Sequence, residues 1–195
     1  EVYWKGGEAL GGREADCAAG NEAAKRIGGD MGGGRFGCDA GGSDRKVSAV
    51  IDGESVYSEE VGWFPKGTED PEYHFNEIVT AFKTAASKMP RVDAIGVSSA
   101  GTFVGNSPMV ASLFIKVPRE RRDEVKSIYD RAGAEIGDVP LVVANDGDVS
   151  ALAGALNLGE HSLLRIAQGR SAAVGYVDSD ARIPARAHEI TLAPS

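Results

Sequence analysis

The apolar positions of this chain fall first into short strand-like runs and then into helical spacings. Arg35 to Asp39, the β-branched run Lys46 to Ile51 and Ser55 to Val61 have the length and residue types of strands bounded by turn residues. Ala40-Gly41-Gly42-Ser43 joins the first two as a tight turn. Asp52-Gly53 joins the second pair, since both residues tolerate the positive φ of a type I′ hairpin. A local three-stranded antiparallel meander is therefore predicted. Past a Pro- and Gly-containing loop at 65–71, Phe75, Ile78, Val79, Phe82, Ala85, Ala86 and Met89 recur at helical spacing, and Pro90 ends the pattern. Ala94 to Ser98 reads as a buried strand, and Met109 to Val117 as strand or packed loop. A second helix follows Pro118 with Val125, Ile128, Tyr129 and Ala132 on one face. Leu141 to Ala144 is the next strand and Val149 to Leu156 the next helix. Leu163 to Ala167 and Ala172 to Val177 form a last strand pair around a turn at Gln168 to Ser171.

A meander followed by helix, strand, helix, strand and helix predicts an α/β layer with a mixed sheet, because hairpins are antiparallel and strand-helix-strand units return parallel. Residues 1–34 break any periodicity with repeated glycine pairs and are left unassigned, apart from a short helix compatible with Asn21 to Ile27. The expected organisation is this N-terminal segment, a lobe over 35–157, and the incomplete start of a second lobe over 158–195.

Composition narrows the function classes. The 195 residues carry a formal charge of −8, which argues against a nucleic-acid partner, since such affinity rests on clustered Lys and Arg. Small solutes fit better. No apolar run approaches a membrane span, so no membrane partner is expected. Cys17 and Cys38 form no Cys-x-x-Cys or Cys/His cluster, which predicts neither zinc site nor disulfide framework and suits a reducing cytoplasm. The chain begins at Glu1 without a Met, which predicts a trimmed or partial chain.

Candidate chemistry concentrates in two segments. In Phe36-Gly37-Cys38-Asp39-Ala40-Gly41-Gly42-Ser43, consecutive glycines let backbone N–H groups approach phosphate oxygens, the hydroxyl can donate another bond, and Asp39 can hold magnesium directly or through water. An ordinary glycine hairpin explains the same residues. In Pro140 to Gly154, Asn145-Asp146 stands between a strand and an Ala-rich helix, where it either caps that helix or presents a carboxylate for proton transfer. His74 and His161 read as surface or helix-edge residues. Trp63 and Phe64 cover the sheet edge, fill a loop core, or stack on a sugar. Arg119 to Glu124 is mixed in sign and reads as a solvated helix start.

Asp39-Ala40-Gly41-Gly42-Ser43, followed by a Val-rich strand, resembles the first phosphate motif of the ROK (repressor, open reading frame, kinase) branch of the actin/hexokinase superfamily. Its usual form is Asp-hydrophobic-Gly-Gly-Thr, so Ser43 keeps the hydroxyl. Asn145-Asp146 resembles that family's sugar-site pair, and Ile95 to Gly101 the strand bordering the sugar. The resemblance implies an RNase H-like, actin-like ATPase lobe. It implies ATP and Mg2+ as cofactors, a sugar as partner, Asp146 as general base, and Asn145, Gly101 and Glu189 as sugar ligands. Asp39, Gly41, Gly42 and Ser43 are implied on the phosphate, with Asp39 also on the metal. Gly169 and Ser171 sit where the second phosphate motif belongs, although Arg170 departs from its Gly-Thr-Gly pattern. Only Glu189-Ile190 match a later sugar-binding stretch, and the family's zinc motif is absent from the sequence. The resemblance leaves room for a homodimer. Its expected activity is phosphorylation of a sugar hydroxyl, with a non-catalytic sugar- or nucleotide-binding regulator as the alternative and an RNase H-like nuclease third.

Overall fold

The structure is a computed structural model that describes residues 32–160, 162–168, 172–180 and 182–183. The expected helix at Asn21 to Ile27 lies outside the described residues. β1 (Gly34–Ala40), β2 (Asp44–Ile51) and β3 (Glu54–Gly62) form the predicted meander, and Asp52 and Gly53 take φ of 49° and 86° at the second hairpin. β4 (Ala94–Ser99) and β7 (Leu141–Asn145) extend the sheet on the other side of β1, giving the order β3-β2-β1-β4-β7. The meander is antiparallel, whereas β1, β4 and β7 run parallel. The sheet is mixed, as the element order requires.

α1 (Pro71–Ala86) starts where Asp70 caps it, its carboxylate accepting from Glu72 N at 3.2 Å, with Pro71 in the first turn. It buries Ile78, Ala81, Phe82 and Ala85 against Phe36, Cys38, Val47 and Ala49. The Phe36 and Phe82 rings meet edge to face at 5.2 Å between centroids. The helix ends at Ala86, short of the expected stop at Pro90, and the chain tightens into i to i+3 turns, Lys88 N donating to Ala85 O at 3.1 Å and Met89 N to Ala86 O at 3.2 Å. Met89 still enters the core, from a turn.

The second expected helix is divided into α2 (Asp123–Lys126) and α3 (Ile128–Ala134), preceded by a 3-10 turn at Arg119–Arg121. Ser127, at φ −105° and ψ 16°, breaks the helical run, yet Val125, Ile128, Tyr129 and Ala132 all remain buried, so two short helices share the predicted apolar face. Met109 to Val117 resolves into β6 (Ser107–Val110), paired with β5 (Thr102–Val104), and a 3-10 turn at Ser112–Phe114.

Asn106, between β5 and β6, closes the outer edge of β7. Its Oδ1 accepts from Val143 N at 3.0 Å and its Nδ2 donates to Leu141 O at 3.2 Å and Asp130 Oδ1 at 2.7 Å. One amide side chain thus satisfies both backbone groups that a further strand would have paired. Asn106→Ala is expected to cost about 1 to 3 kcal/mol in chemical denaturation, because the strand-edge groups it leaves are part-buried.

α4 (Asp146–Leu158) follows β7 without a loop, three residues earlier than the predicted start at Val149. The hairpin β8 (Leu163–Gln168) and β9 (Ala172–Val177) packs on it, where Ala151, Leu152, Ala155 and Val177 form a second small core. Gly147 and Gly175 meet backbone to backbone; a Cβ on Gly147 would lie 2.9 Å from Val174 O. Among the described residues, no helix is long and apolar enough to cross a membrane.

Candidate functional site

The carboxyl ends of the parallel strands lie side by side, with Ala40 opposite Ser99 and Ser99 opposite Asn145. Ligands of open α/β sheets bind along this edge, because the following loops and helix N-termini converge there. Asp39 on β1 faces Lys46 on β2 and Ser98 on β4, and Ser98 in turn faces Ala144 on β7. Asp39 and the Asn145-Asp146 step are thus about two strand spacings apart, roughly 10 Å.

Asp39 is half-buried, and burial pushes its carboxyl above the usual range. The neighbouring Ser98 hydroxyl and Lys46 pull it back, while Asp146 and Asp44 push it further up. Burial prevails, so an added cation would relieve a carboxylate that the fold itself leaves under-compensated. A cavity of about 300 Å³ opens beside it, lined by Gly37, Asp39, Lys46, Gly96, Ser98 and Val149 among others.

The turn between β1 and β2 is Gly41-Gly42-Ser43, one residue shorter than predicted, since Ala40 remains in the strand. Gly41 N donates to Asp44 O at 3.0 Å, and a Cβ on Gly41 would sit 2.7 Å from that same carbonyl, so only glycine fits. The N–H groups of Gly42 and Ser43 have no acceptor among the described residues, which leaves two exposed donors on the turn. The Ser43 hydroxyl donates to Asp44 Oδ2 at 3.0 Å. Such a pair of donors beside Asp39 fits the phosphates and magnesium of ATP.

Trp63, fully buried, holds this turn from below. Its backbone N donates to Ser43 O at 3.1 Å and its indole Nε1 to Gly41 O at 2.7 Å. His74, expected at the surface or a helix edge, is instead buried, edge-on to Trp63, Tyr73 and Phe114, with Nε2 3.3 Å from Thr68 O. The periodicity of α1 had no apolar residue at that position, and the imidazole fills it. Phe64, by contrast, is 76% exposed.

At the other end of the site Asn145 caps α4, Oδ1 accepting from Gly147 N at 2.8 Å, and its Nδ2 donates to Gly101 O at 2.9 Å. The cap expected of this residue pair is therefore present. One N–H and one lone pair of this amide remain for a ligand. Gly101 has φ +141°, and a Cβ there would run into Val110 O, so the residue presenting its carbonyl to Asn145 must be glycine. Asp146 is half-buried in the first turn of α4; its Oδ1 accepts from Gly147 N at 2.9 Å, and no basic side chain pairs with it among the described residues. Gly169, Ser171 and Glu189 lie outside the described residues.

Asp148 stands in no motif, and its character comes chiefly from burial. Its Oδ1 is buried with no hydrogen-bond partner among the described residues, and burial first, then Asp146, push the carboxyl up to about 6. Since the ordinary value is 3.8, the folded state keeps a proton that the unfolded chain has released between those two values, and stability falls as pH rises through that window. Asp148→Asn is expected to gain about 1 kcal/mol at about pH 8, after discounting for partial exposure, or roughly 2 to 4 °C in Tm. Thermal melts near pH 2.5 should show no gain, because both states of the parent are then protonated.

No protein-family model matches the chain, and no curated protein sequence matches it. Solved structures do. The ROK hexokinase from Thermus thermophilus superposes with a TM-score of 0.61 at 19% identity, covering 83% of this chain and 54% of that one. The inorganic polyphosphate/ATP-glucomannokinase from Arthrobacter sp. strain KM gives 0.60 at 19% identity over 78% of this chain and 61% of that one. The glucokinase from Parabacteroides distasonis gives 0.58 at 17% identity over 78% and 46%. The chain thus spans about half the length of these structures. With a mixed five-stranded sheet in the order β3-β2-β1-β4-β7, a glycine turn after its first strand and Asn145-Asp146 after its last, the chain has the actin-like fold of the ROK sugar kinases.

Proposed function

We propose that the chain belongs to an ATP-dependent sugar kinase in which Asp146 accepts the proton of the attacking sugar hydroxyl. Asn145 and Gly101 border the sugar. The Gly41-Gly42-Ser43 turn receives the phosphates, and Asp39 holds the magnesium, directly or through water. The observation that carries this reading is the common carboxyl edge: the tie from Asn145 to the Gly101 carbonyl fixes Asp146 at the end of β7, two strands from Asp39 and the glycine turn.

Bound magnesium ATP would supply the electrophilic phosphorus and the charge that screens it. The chain's own residues do the rest. The Gly147 N–H holds one Asp146 oxygen, which orients the carboxylate toward the hydroxyl it deprotonates. Gly42 and Ser43 present their N–H groups to phosphate oxygens with no internal bond to break first. The similarity to solved kinases named for glucose, mannose and hexose substrates supports a hexose as acceptor.

Magnesium ATP and a panel of hexoses and N-acetylhexosamines test the reading. Formation of a sugar phosphate with at least one of them is expected. Sugar binding by calorimetry without any product would overturn the kinase and leave a sugar-binding regulator.

A further inference from the structure

Lys66 occupies a position that its exposure alone does not explain. It stands on the 3-10 turn Pro65–Gly67, whose Pro65 is buried and whose ends are tied down. Gly67 N donates to Phe64 O at 3.3 Å, Thr68 N to Pro65 O at 3.3 Å, and Thr68 Oγ1 to Phe64 O at 2.8 Å. Phe64 N in turn donates to the Tyr73 hydroxyl on α1 at 3.0 Å. The turn is therefore braced against α1 and the aromatic cluster of Trp63, His74 and Phe114. From it, the lysine side chain reaches back over the glycine turn: a Cβ on Gly42 would lie 2.9 Å from Lys66 Cε and 3.0 Å from Nζ.

The two lysines at this turn differ in how their charge is spent. Lys46 is paired, with Asp44 at 3.1 Å and Glu60 at 3.8 Å. Lys66 has no carboxylate within ion-pair distance among the described residues, although the chain is acidic overall. It lies instead beside Gly42, which with Ser43 carries the two N–H groups of the turn that have no acceptor among the described residues. Trp63 takes up the carbonyls of Gly41 and Ser43, so what the turn has left to offer a ligand is its donors. An unpaired ammonium beside two free amides is a receptor for an anion with several acceptor oxygens.

We propose that Lys66 is the cation that binds the phosphate group lodged at the Gly41-Gly42-Ser43 turn, the ligand being the polyphosphate chain of a phosphoanhydride donor. This rests on the kinase reading above and adds to it a residue from beyond the β1–β2 hairpin. The same chemistry is offered by the triphosphate of ATP and by inorganic polyphosphate. In either case Lys66 contributes charge and a donor, and no covalent step.

Calorimetric titration of the 195-residue chain with magnesium ATP and, separately, with inorganic tripolyphosphate tests this, using the parent, Lys66→Ala and Lys66→Arg. Lys66→Ala is expected to weaken both ligands about tenfold or more, the loss of one charge-assisted contact, with Lys66→Arg within about threefold of the parent. Sugar affinity should not change in either variant. Tighter ATP than tripolyphosphate would name the nucleotide as the source, and equal affinities inorganic polyphosphate; both outcomes support the site. Parent-like binding by Lys66→Ala, or no binding of either ligand by the parent, would overturn it. Lys66-dependent binding without phosphorylation of any sugar would sink the kinase reading alone. Sugar phosphorylation undiminished in Lys66→Ala at limiting donor would sink this proposal alone.

Discussion

Asp146→Asn is expected to lower the turnover of sugar phosphorylation by about 10²- to 10⁴-fold while leaving sugar affinity within a few-fold of the parent. The substitution keeps volume and the capacity to accept from Gly147 N, so α4 should still begin at the same residue. What it removes is a group able to take a proton from the attacking hydroxyl. Phosphoryl transfer depends chiefly on positioning and charge, so a residual rate should persist, which separates a lost base from a lost fold. Asp148→Asn is the matched control: the same change two residues on, at a carboxyl that is already protonated over part of the working range. A fall in turnover confined to Asp148→Asn would transfer the base to that residue. Parent-like turnover in Asp146→Asn would remove the assignment altogether.

Trp63→Ala is expected to cost about 3 to 5 kcal/mol in chemical denaturation, a large share of the total stability of a domain this size. The side chain is 1% exposed and sits edge-on to His74 at 6.4 Å between centroids, so its removal leaves a cavity in a cluster that cannot easily collapse. Trp63→Phe separates packing from hydrogen bonding. It retains much of the apolar contact, forfeits the 2.7 Å bond to Gly41 O, and should cost nearer 1 kcal/mol beyond the loss of volume. Since that bond steadies the glycine turn, Trp63→Phe should also weaken tripolyphosphate binding while sugar affinity stays unchanged. Equal weakening of both ligands would mean that the indole supports the fold generally and not the turn in particular.

Burial of His74 adds a pH dependence to the same cluster. Burial lowers its pKa below the usual value, so between the folded and unfolded values the unfolded chain binds the proton and the folded protein does not. Its contribution is therefore present above about pH 6.5 and lost as pH falls toward the folded value.

The meander was legible because each of its signals is local. Asp52-Gly53 takes the positive φ of a hairpin turn through residue type alone, and the glycine turn after Ala40 needs no distant partner. The amphipathic face of α1 was legible for the same reason, since Ile78, Phe82 and Ala85 repeat at helical spacing and are the residues that become buried. The break at Ser127 and the hairpin over Thr102 to Val110 were not. Both answer to where β7 and α1 lie, which no window of sequence contains. The candidate site divides along the same line. Asp39, Gly41, Gly42, Asn145 and Asp146 stand in short motifs whose residue types announce their chemistry.

By itself, then, the sequence determined the meander, the strands of the main sheet and the apolar helix faces in their order, the two turns and which residues carry acid, amide and backbone-donor chemistry, because these follow from periodicity and residue type over a few positions. Only the tertiary structure decided which of them meet. The parallel pairing of β1, β4 and β7 sets Asp39, Ser98 and Ala144 in one row. Trp63 bonds to the Gly41 carbonyl, Lys66 lies beside Gly42 and Gly101 bonds to Asn145, and one Asp148 oxygen is buried without a partner. Each of these contacts joins residues far apart in the chain or depends on what burial does to a polar group, and neither is written in local pattern.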